Sequence, residues 1–193
     1  MNDIKDIIGR SIAVKEAVLQ SEELLETLQT IIDEIIAVYA NGGKVLLCGN
    51  GGSAADAQHV AAELSGRFYF DREPLYAEAL HVNTSYLTAV ANDYDYDEIF
   101  ARMVRAAGRK GDMLIGYSTS GNSGNIVRAF DDALEIGMKT VLFSGKTGGK
   151  LKERSCYAIC VPSTDTPRIQ ECHIMLSHIM CELVEKKIFT MGN

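Results

Sequence analysis

The chain has no surplus of positive charge: 19 Lys and Arg stand against 26 Asp and Glu, a formal net charge of −7. That excludes a broad electrostatic footprint for nucleic acid, but not a small phosphorylated ligand held by local donors. Paired cysteines are missing as well. Five are scattered at 48, 156, 160, 172 and 181 with no CxxC spacing. They read as reduced thiols in apolar segments, in keeping with a cytoplasmic compartment. No stretch approaches the ~18 uninterrupted apolar residues of a membrane span. No secretion pattern opens the chain either, since Met1-Asn2-Asp3-Ile4-Lys5-Asp6 leads into an amphipathic helix. Linkers, repeats and low-complexity tracts are also missing. With 47% hydrophobic residues over 193 positions, residues 1–193 are expected to form one soluble domain with a sizeable core.

What the chain does have is a change of rhythm near residue 41. The first forty residues are helical by pattern. Leu24, Leu28, Ile31, Ile32, Ile35 and Tyr39 share one stripe, and Asn41-Gly42-Gly43 ends the helix. Leu25 and Ile36 widen the apolar face. That width suits packing against another subunit, or a wide core-facing helix. From Lys44 short apolar runs alternate with helices. Strands are expected at 45–48, 77–82, 113–117, 139–144 and 157–161, and helices at 54–64, 84–91, 98–107, 125–136 and 168–189. Continuous apolar strands alternating with helices predict an α/β three-layer sandwich around a mostly parallel five-stranded sheet. Residues 41–193 would form this core, with 1–40 as a helical segment for oligomer contacts. Ligands of such sheets bind at the carboxyl ends of the strands.

Two loops lie at such ends. Ser118-Thr119-Ser120-Gly121-Asn122-Ser123 places four hydroxyls and a glycine between a strand and the start of a helix. A helix N-terminus offers unpaired N–H groups and positive partial charge, so this stretch predicts a phosphate cradle; a single cap needs only one such residue. Gly49-Asn50-Gly51-Gly52-Ser53-Ala54 satisfies only a loose dinucleotide fingerprint. The next predicted strand ends in His81-Val82-Asn83, with no acid to hold a ribose, so no nucleotide cofactor is expected. The glycines allow close backbone approach to a smaller ligand, with Asn50 and Ser53 as polar contacts.

His59 and Glu63, at i and i+4, share one helix face, where they suit a divalent metal or a proton-transfer base as well as a surface hydrogen bond. Gln170 and His178 share a face of the last helix, and His173 points elsewhere. Asn92-Asp93 reads as a polar loop, and Arg67 suits either an anion or solvent.

Together, Gly49-Asn50-Gly51-Gly52-Ser53, Gln58-His59 with Glu63-Leu64 and Arg67, Asn92-Asp93, Ser118-Thr119-Ser120-Gly121-Asn122-Ser123, and Arg168-Ile169-Gln170-Glu171 with His178 resemble the phosphoheptose isomerases of the sugar-isomerase (SIS) fold, nearly end to end. The resemblance implies conversion of sedoheptulose 7-phosphate to D-glycero-D-manno-heptose 7-phosphate, toward the heptose of bacterial surface polysaccharide. It implies phosphate contacts from Ser118, Thr119, Ser120 and Ser123, and a sugar site lined by Asn50, Gly51, Gly52, Asn92 and Asp93. Glu63 and His178 match the family's acid–base pair. His59, Glu63, Gln170 and His178 match positions that bind zinc in metal-containing members, one ion per subunit. A homotetramer with sites near subunit interfaces is implied too. One departure is Pro167, where an acidic residue is usual; proline suits a first helical turn. Eight residues separate Gln170 from His178, about 12 Å of helix rise, so convergence on one ion requires a bend, leaning side chains or a neighbouring chain. Two other readings share the loops: a non-catalytic tetrameric partner of the replication initiator, and a sugar-phosphate sensor. Retention of both Glu63 and His178 favours the enzyme.

Overall fold

The computed structural model describes residues 2–190. Apolar runs form strands and amphipathic stretches form helices, and the two alternate from residue 45 onward. Helices α1 (Asn2–Leu19) and α2 (Glu22–Ala40) precede β1 (Val45–Gly49), α3 (Gly52–Ser65) and β2 (Ala77–Ala79). Then follow α4 (Thr84–Asp93), a 3-10 turn at Tyr96–Glu98, α5 (Ile99–Ala107), β3 (Met113–Ser118) and α6 (Gly124–Ile136). The chain ends with β4 (Lys139–Ser144), a 3-10 segment at Gly149–Arg154, β5 (Tyr157–Cys160) and α7 (Thr166–Thr190).

All strand pairs are parallel, in the order β2-β1-β3-β4-β5. Both faces of the sheet are covered, which is why its central strands β1, β3 and β4 carry no polar alternation. Val45, Leu47, Met113, Ile115, Tyr117, Val141 and Phe143 pack with α2, α3 and α7. Leu46, Cys48, Leu114 and Leu142 face the other way, onto α5 and α6. The strand order reverses direction at β1, which has β2 on one side and β3 on the other. The crevice beyond the carboxyl ends of β1 and β3 is therefore the topological switch point of the sheet. Both polar loops open into it.

Several boundaries differ from the pattern-based expectation. The strand expected at 77–82 stops at Ala79, because Val82 N–H turns back to the Ala79 carbonyl and Asn83 caps α4 by accepting from Tyr86 N–H at 3.1 Å. The first forty residues form two helices, broken at Ser21, whose hydroxyl accepts from Leu24 N–H. The apolar face of residues 24–39 is mostly spent on this chain's own core: Leu24, Leu28, Ile31, Ile32, Ile35 and Val38 are buried. The open apolar stripe lies instead on α1, where Ile4, Ile7, Ile8 and Ile12 are exposed and Val18 is buried. Cys48, Cys172 and Cys181 are buried as expected, but Cys156 is exposed just before β5. Pro167 falls in the first turn of α7, where its missing N–H costs nothing. No helix among the described residues is long and apolar enough to cross a membrane.

Candidate active site

The glycine-rich loop after β1 turns sharply because Gly51 adopts φ +58°, a conformation that side-chain-bearing residues rarely take. This starts α3 at Gly52, two residues before the pattern suggests. At Gly52 an added Cβ would lie 2.8 Å from Gln170 Nε2, so the bare backbone admits the amide of α7 against the start of α3. Ser53 is buried in the first turn. Asn50 is locked by a reciprocal amide pair with Asn125, each Nδ2 donating to the other's Oδ1 at 2.9 Å. The Tyr96 hydroxyl also donates to Asn50 Oδ1, at 3.2 Å. Asn92 and Asp93 end α4 and are exposed, with Asn92 Nδ2 donating to Asp93 Oδ1 at 2.9 Å.

The hydroxyl loop runs from the end of β3 to the start of α6. Ser118 and Ser123 hydroxyls are 3.0 Å apart, and Ser144 Oγ donates to the Ser118 carbonyl at 2.7 Å. Ser120 Oγ accepts from Asn122 N–H at 3.2 Å. Thr119 and Ser120 face a cleft of about 210 Å³, shared with Lys146, Thr147, Ser163, Thr164, Thr166 and Ile169. The cleft thus combines hydroxyls, one ammonium and the N-terminal turn of α7, a donor set suited to an oxyanion.

A second group of polar side chains lies further along α3 and α7. His59 Nε2 is 3.0 Å from Glu63 Oε1, and His178 Nε2 is 3.1 Å from His59 Nε2. Ligand atoms of all three lie within 4.8 Å of one another. Two imidazole nitrogens facing each other at that distance cannot both donate, so at least one presents a lone pair. A set of two imidazoles and a carboxylate also suits a divalent ion with a coordination position left open. The two helices run in the same direction here, since Gln170 meets Gly52 while His178 meets His59. Gln170 therefore sits at the start of α3, and His59 stands seven residues on, about 10 Å of rise away. Arg67 is exposed just past the end of α3.

Sequence reasoning passed over four residues of this region. Asn125 and Tyr96 hold Asn50, and Lys146 brings a cation to the cleft. Asp56, one turn before His59, has a buried Oδ2 without a partner among the described residues, and burial pushes its carboxyl up to about 6 against the pull of His59. The Tyr96-Asp97 and Gly124-Asn125 segments carried a faint signal, as polar residues beside loops already singled out.

Hydroxyl and glycine loops gathered at the switch point of a parallel α/β sheet define an SIS-type sugar-phosphate domain, and the SIS domain family model matches residues 11–145. A phosphoheptose isomerase of Clostridium acetobutylicum is 53% identical over 97% of this chain and 96% of its own length. That of Aneurinibacillus thermoaerophilus is 54% identical over 98% and 96%. The solved phosphoheptose isomerase of Neisseria gonorrhoeae superposes with a TM-score of 0.89 at 40% identity, covering 96% of this chain and 98% of that one. The chain belongs to the phosphoheptose isomerase family of SIS-domain enzymes.

Proposed function

We propose that the chain interconverts sedoheptulose 7-phosphate and D-glycero-D-manno-heptose 7-phosphate. One observation carries the chemical assignment: Glu63, His59 and His178, drawn from two helices, meet within hydrogen-bonding distance. Moving a carbonyl from C2 to C1 requires removal of a proton from C1, return of a proton to C2, and transfer of a hydroxyl proton from O1 to O2. A carboxylate is a competent base for the carbon proton, and an imidazole shuttles the proton between the oxygens. Glu63 takes the first role and His178 the second. Asn50, held by Asn125 and Tyr96, presents its amide to the sugar hydroxyls together with Gly51, Gly52, Ser53, Asn92, Asp93 and Gln170, and Arg67 adds a cation at the rim. Ser118, Thr119, Ser120 and Ser123 hold the phosphate.

His59, Glu63 and His178 fit a zinc ion by donor type and proximity; Gln170, matched by family resemblance, meets the start of α3 about 10 Å along the axis from His59 and would join that ion only from a neighbouring chain. When bound, the ion supplies a Lewis acid for the substrate carbonyl. Ligation and base duty compete for the Glu63 carboxylate, so one oxygen cannot serve both at once.

Glu63 stands eleven residues beyond Gly52 on α3, about 16 Å along the axis, more than a seven-carbon phosphate spans. That separation favours a working site completed between subunits, with the cradle of one chain facing the histidines of another. The exposed α1 stripe supports a homotetramer. It borders an apolar groove of about 340 Å³, where Ile12, Leu19, Leu25 and Ile179 lie beside one another. The acidic surface and unpaired thiols suit a cytoplasmic enzyme acting on a small metabolite, without nucleic acid or membrane partners.

The phosphate cradle is tested by the double substitution Ser118→Ala/Ser120→Ala. Hydrogen bonds to a charged group contribute roughly 1.5–3 kcal/mol each, so KM is expected to rise by about tenfold or more while kcat changes less. Steady-state kinetics check this, and an unchanged KM contradicts the cradle. The sensor reading makes a different forecast: wild-type protein would bind sedoheptulose 7-phosphate without converting it.

A further inference from the structure

Arg72 and Glu185 form an ion pair inside the domain, with side chains 3% and 1% exposed. Arg72 Nε donates to Glu185 Oε1 at 2.9 Å. The same carboxylate accepts from three consecutive backbone N–H groups, Phe68, Tyr69 and Phe70, at 2.9, 2.6 and 3.0 Å. The guanidinium turns most of its remaining donors on the end of α3, and Nη1 also donates to the Glu73 carbonyl at 3.0 Å. Its two terminal nitrogens donate to the carbonyls of Leu64 at 2.9 Å and Glu63 at 3.0 Å. Burying such a pair carries a desolvation cost that apolar residues of the same size avoid, so stability alone does not account for it. What the pair does provide is a fixed geometry, because the rigid fork of arginine meets several acceptors at once.

Both ends of this clamp reach the histidine–glutamate cluster. Through Arg72 it grips the backbone of Glu63 itself. Through Glu185 it grips Phe68, whose ring packs against His178 with centroids 6.0 Å apart. Glu185 lies two turns after His178 on α7, so the clamp joins the ends of the two helices just beyond the cluster. Among the described residues, neither hydrogen-bonds to the side-chain nitrogen or oxygen atoms of the cluster.

We infer that Arg72 and Glu185 are positioning residues, which hold the Glu63 carboxylate and the His178 imidazole at the spacing that proton transfer and metal ligation require. This rests on the isomerase reading for its kinetic consequence, but not for its consequence on metal binding. A displacement of the reacting groups by about 1 Å lowers turnover by up to about 100-fold, and loss of an orienting partner weakens metal binding by about 10–100-fold.

The test compares wild type with Glu185→Gln and Arg72→Lys, each at matched folded fraction and oligomeric state. Glu185→Gln keeps the acceptor oxygen but removes the charge. If it does not fold, Arg72→Lys keeps the charge pair while giving up the simultaneous grip on the Glu63 and Leu64 carbonyls. Two quantities are read: kcat and KM on sedoheptulose 7-phosphate, and Zn²⁺ affinity by chelator competition. The expected result is a kcat at least about tenfold lower with KM within about threefold of wild type, and Zn²⁺ affinity at least about tenfold weaker. A folded variant with wild-type kcat and wild-type Zn²⁺ affinity overturns the inference and leaves the clamp a stability element only. Wild-type protein that binds Zn²⁺ but shows no turnover overturns the isomerase reading, and the Zn²⁺ arm then decides the clamp alone. Wild-type protein that does neither overturns both.

Discussion

Glu63→Gln is expected to lower turnover of sedoheptulose 7-phosphate by at least ~100-fold, with His178→Gln close behind, both in folded protein. The carboxamide is nearly isosteric with the carboxylate and keeps an oxygen facing His59 Nε2, now 3.0 Å from Glu63 Oε1, so the packing of α3 is retained. What disappears is the ability to accept a proton from carbon. For His178 the lost function is transfer between the two substrate oxygens, and glutamine cannot alternate between donor and acceptor at one atom. Because Glu63, His59 and His178 act as one contact network, the double variant is expected to be little worse than either single one. Rapid-quench or NMR assays of the folded variants check this. Near-wild-type rates in both would remove the acid–base assignment.

The second large effect concerns stability against acid, and it originates in His173. This imidazole is fully buried on α7, packed against the Tyr117 and Phe143 rings, with Nε2 3.1 Å from the Ser144 carbonyl. That contact makes Nε2 the protonated nitrogen, and Nδ1 is left buried without a partner among the described residues. Burial pushes its pKa down to about 4, with the Ser144 contact opposing the shift. Between about pH 6.5 and 4 the unfolded chain takes up a proton that the folded chain refuses, so stability falls as pH is lowered through that window and the loss is complete below it. A shift of this size corresponds to roughly 3 kcal/mol. Asp56, whose carboxyl burial pushes up to about 6, contributes in the opposite direction over part of the same window. The contribution of His173 is therefore isolated as the difference between wild type and His173→Gln, whose amide still donates to Ser144 but does not titrate. Denaturant unfolding of metal-free protein at pH 7 and pH 4.5 is expected to show a markedly smaller drop for the variant. Equal drops would show that protonation of His173 does not limit acid stability.

The alternation of strands and helices was legible because the central strands β1, β3 and β4 are runs of mostly apolar residues buried on both faces, a pattern independent of tertiary detail. The end of β2 was not, since Leu80 and Val82 extend the apolar signal while the turn to Asn83 ends the strand. The width of the apolar face on α2 was visible, but not its destination. Only the packing shows that α2 is absorbed into the core and that α1 carries the open stripe. In the site, the two loops were readable as loops that end strands, and the His59–Glu63 pairing followed from helical spacing. The approach of His178 to His59, 119 positions apart, came only from family resemblance, because no local period links two helices that distant. Lys146 and the Arg72–Glu185 pair left no sequence signature for the same reason, and Asn125 only a faint one: their partners are set by how loops cross, not by spacing along one element.

Isomerisation by this site moves the carbonyl between C2 and C1 of a seven-carbon sugar phosphate by proton transfer through solvent-exchangeable groups. The most direct measurement follows sedoheptulose 7-phosphate by NMR in D₂O, with chelator-treated protein and with added Zn²⁺. An aldose 7-phosphate is expected in at least one of these conditions, with deuterium from the solvent entering at C2 to the extent that the proton on Glu63 exchanges before it is returned. Absence of the aldose in both conditions would overturn the isomerase assignment.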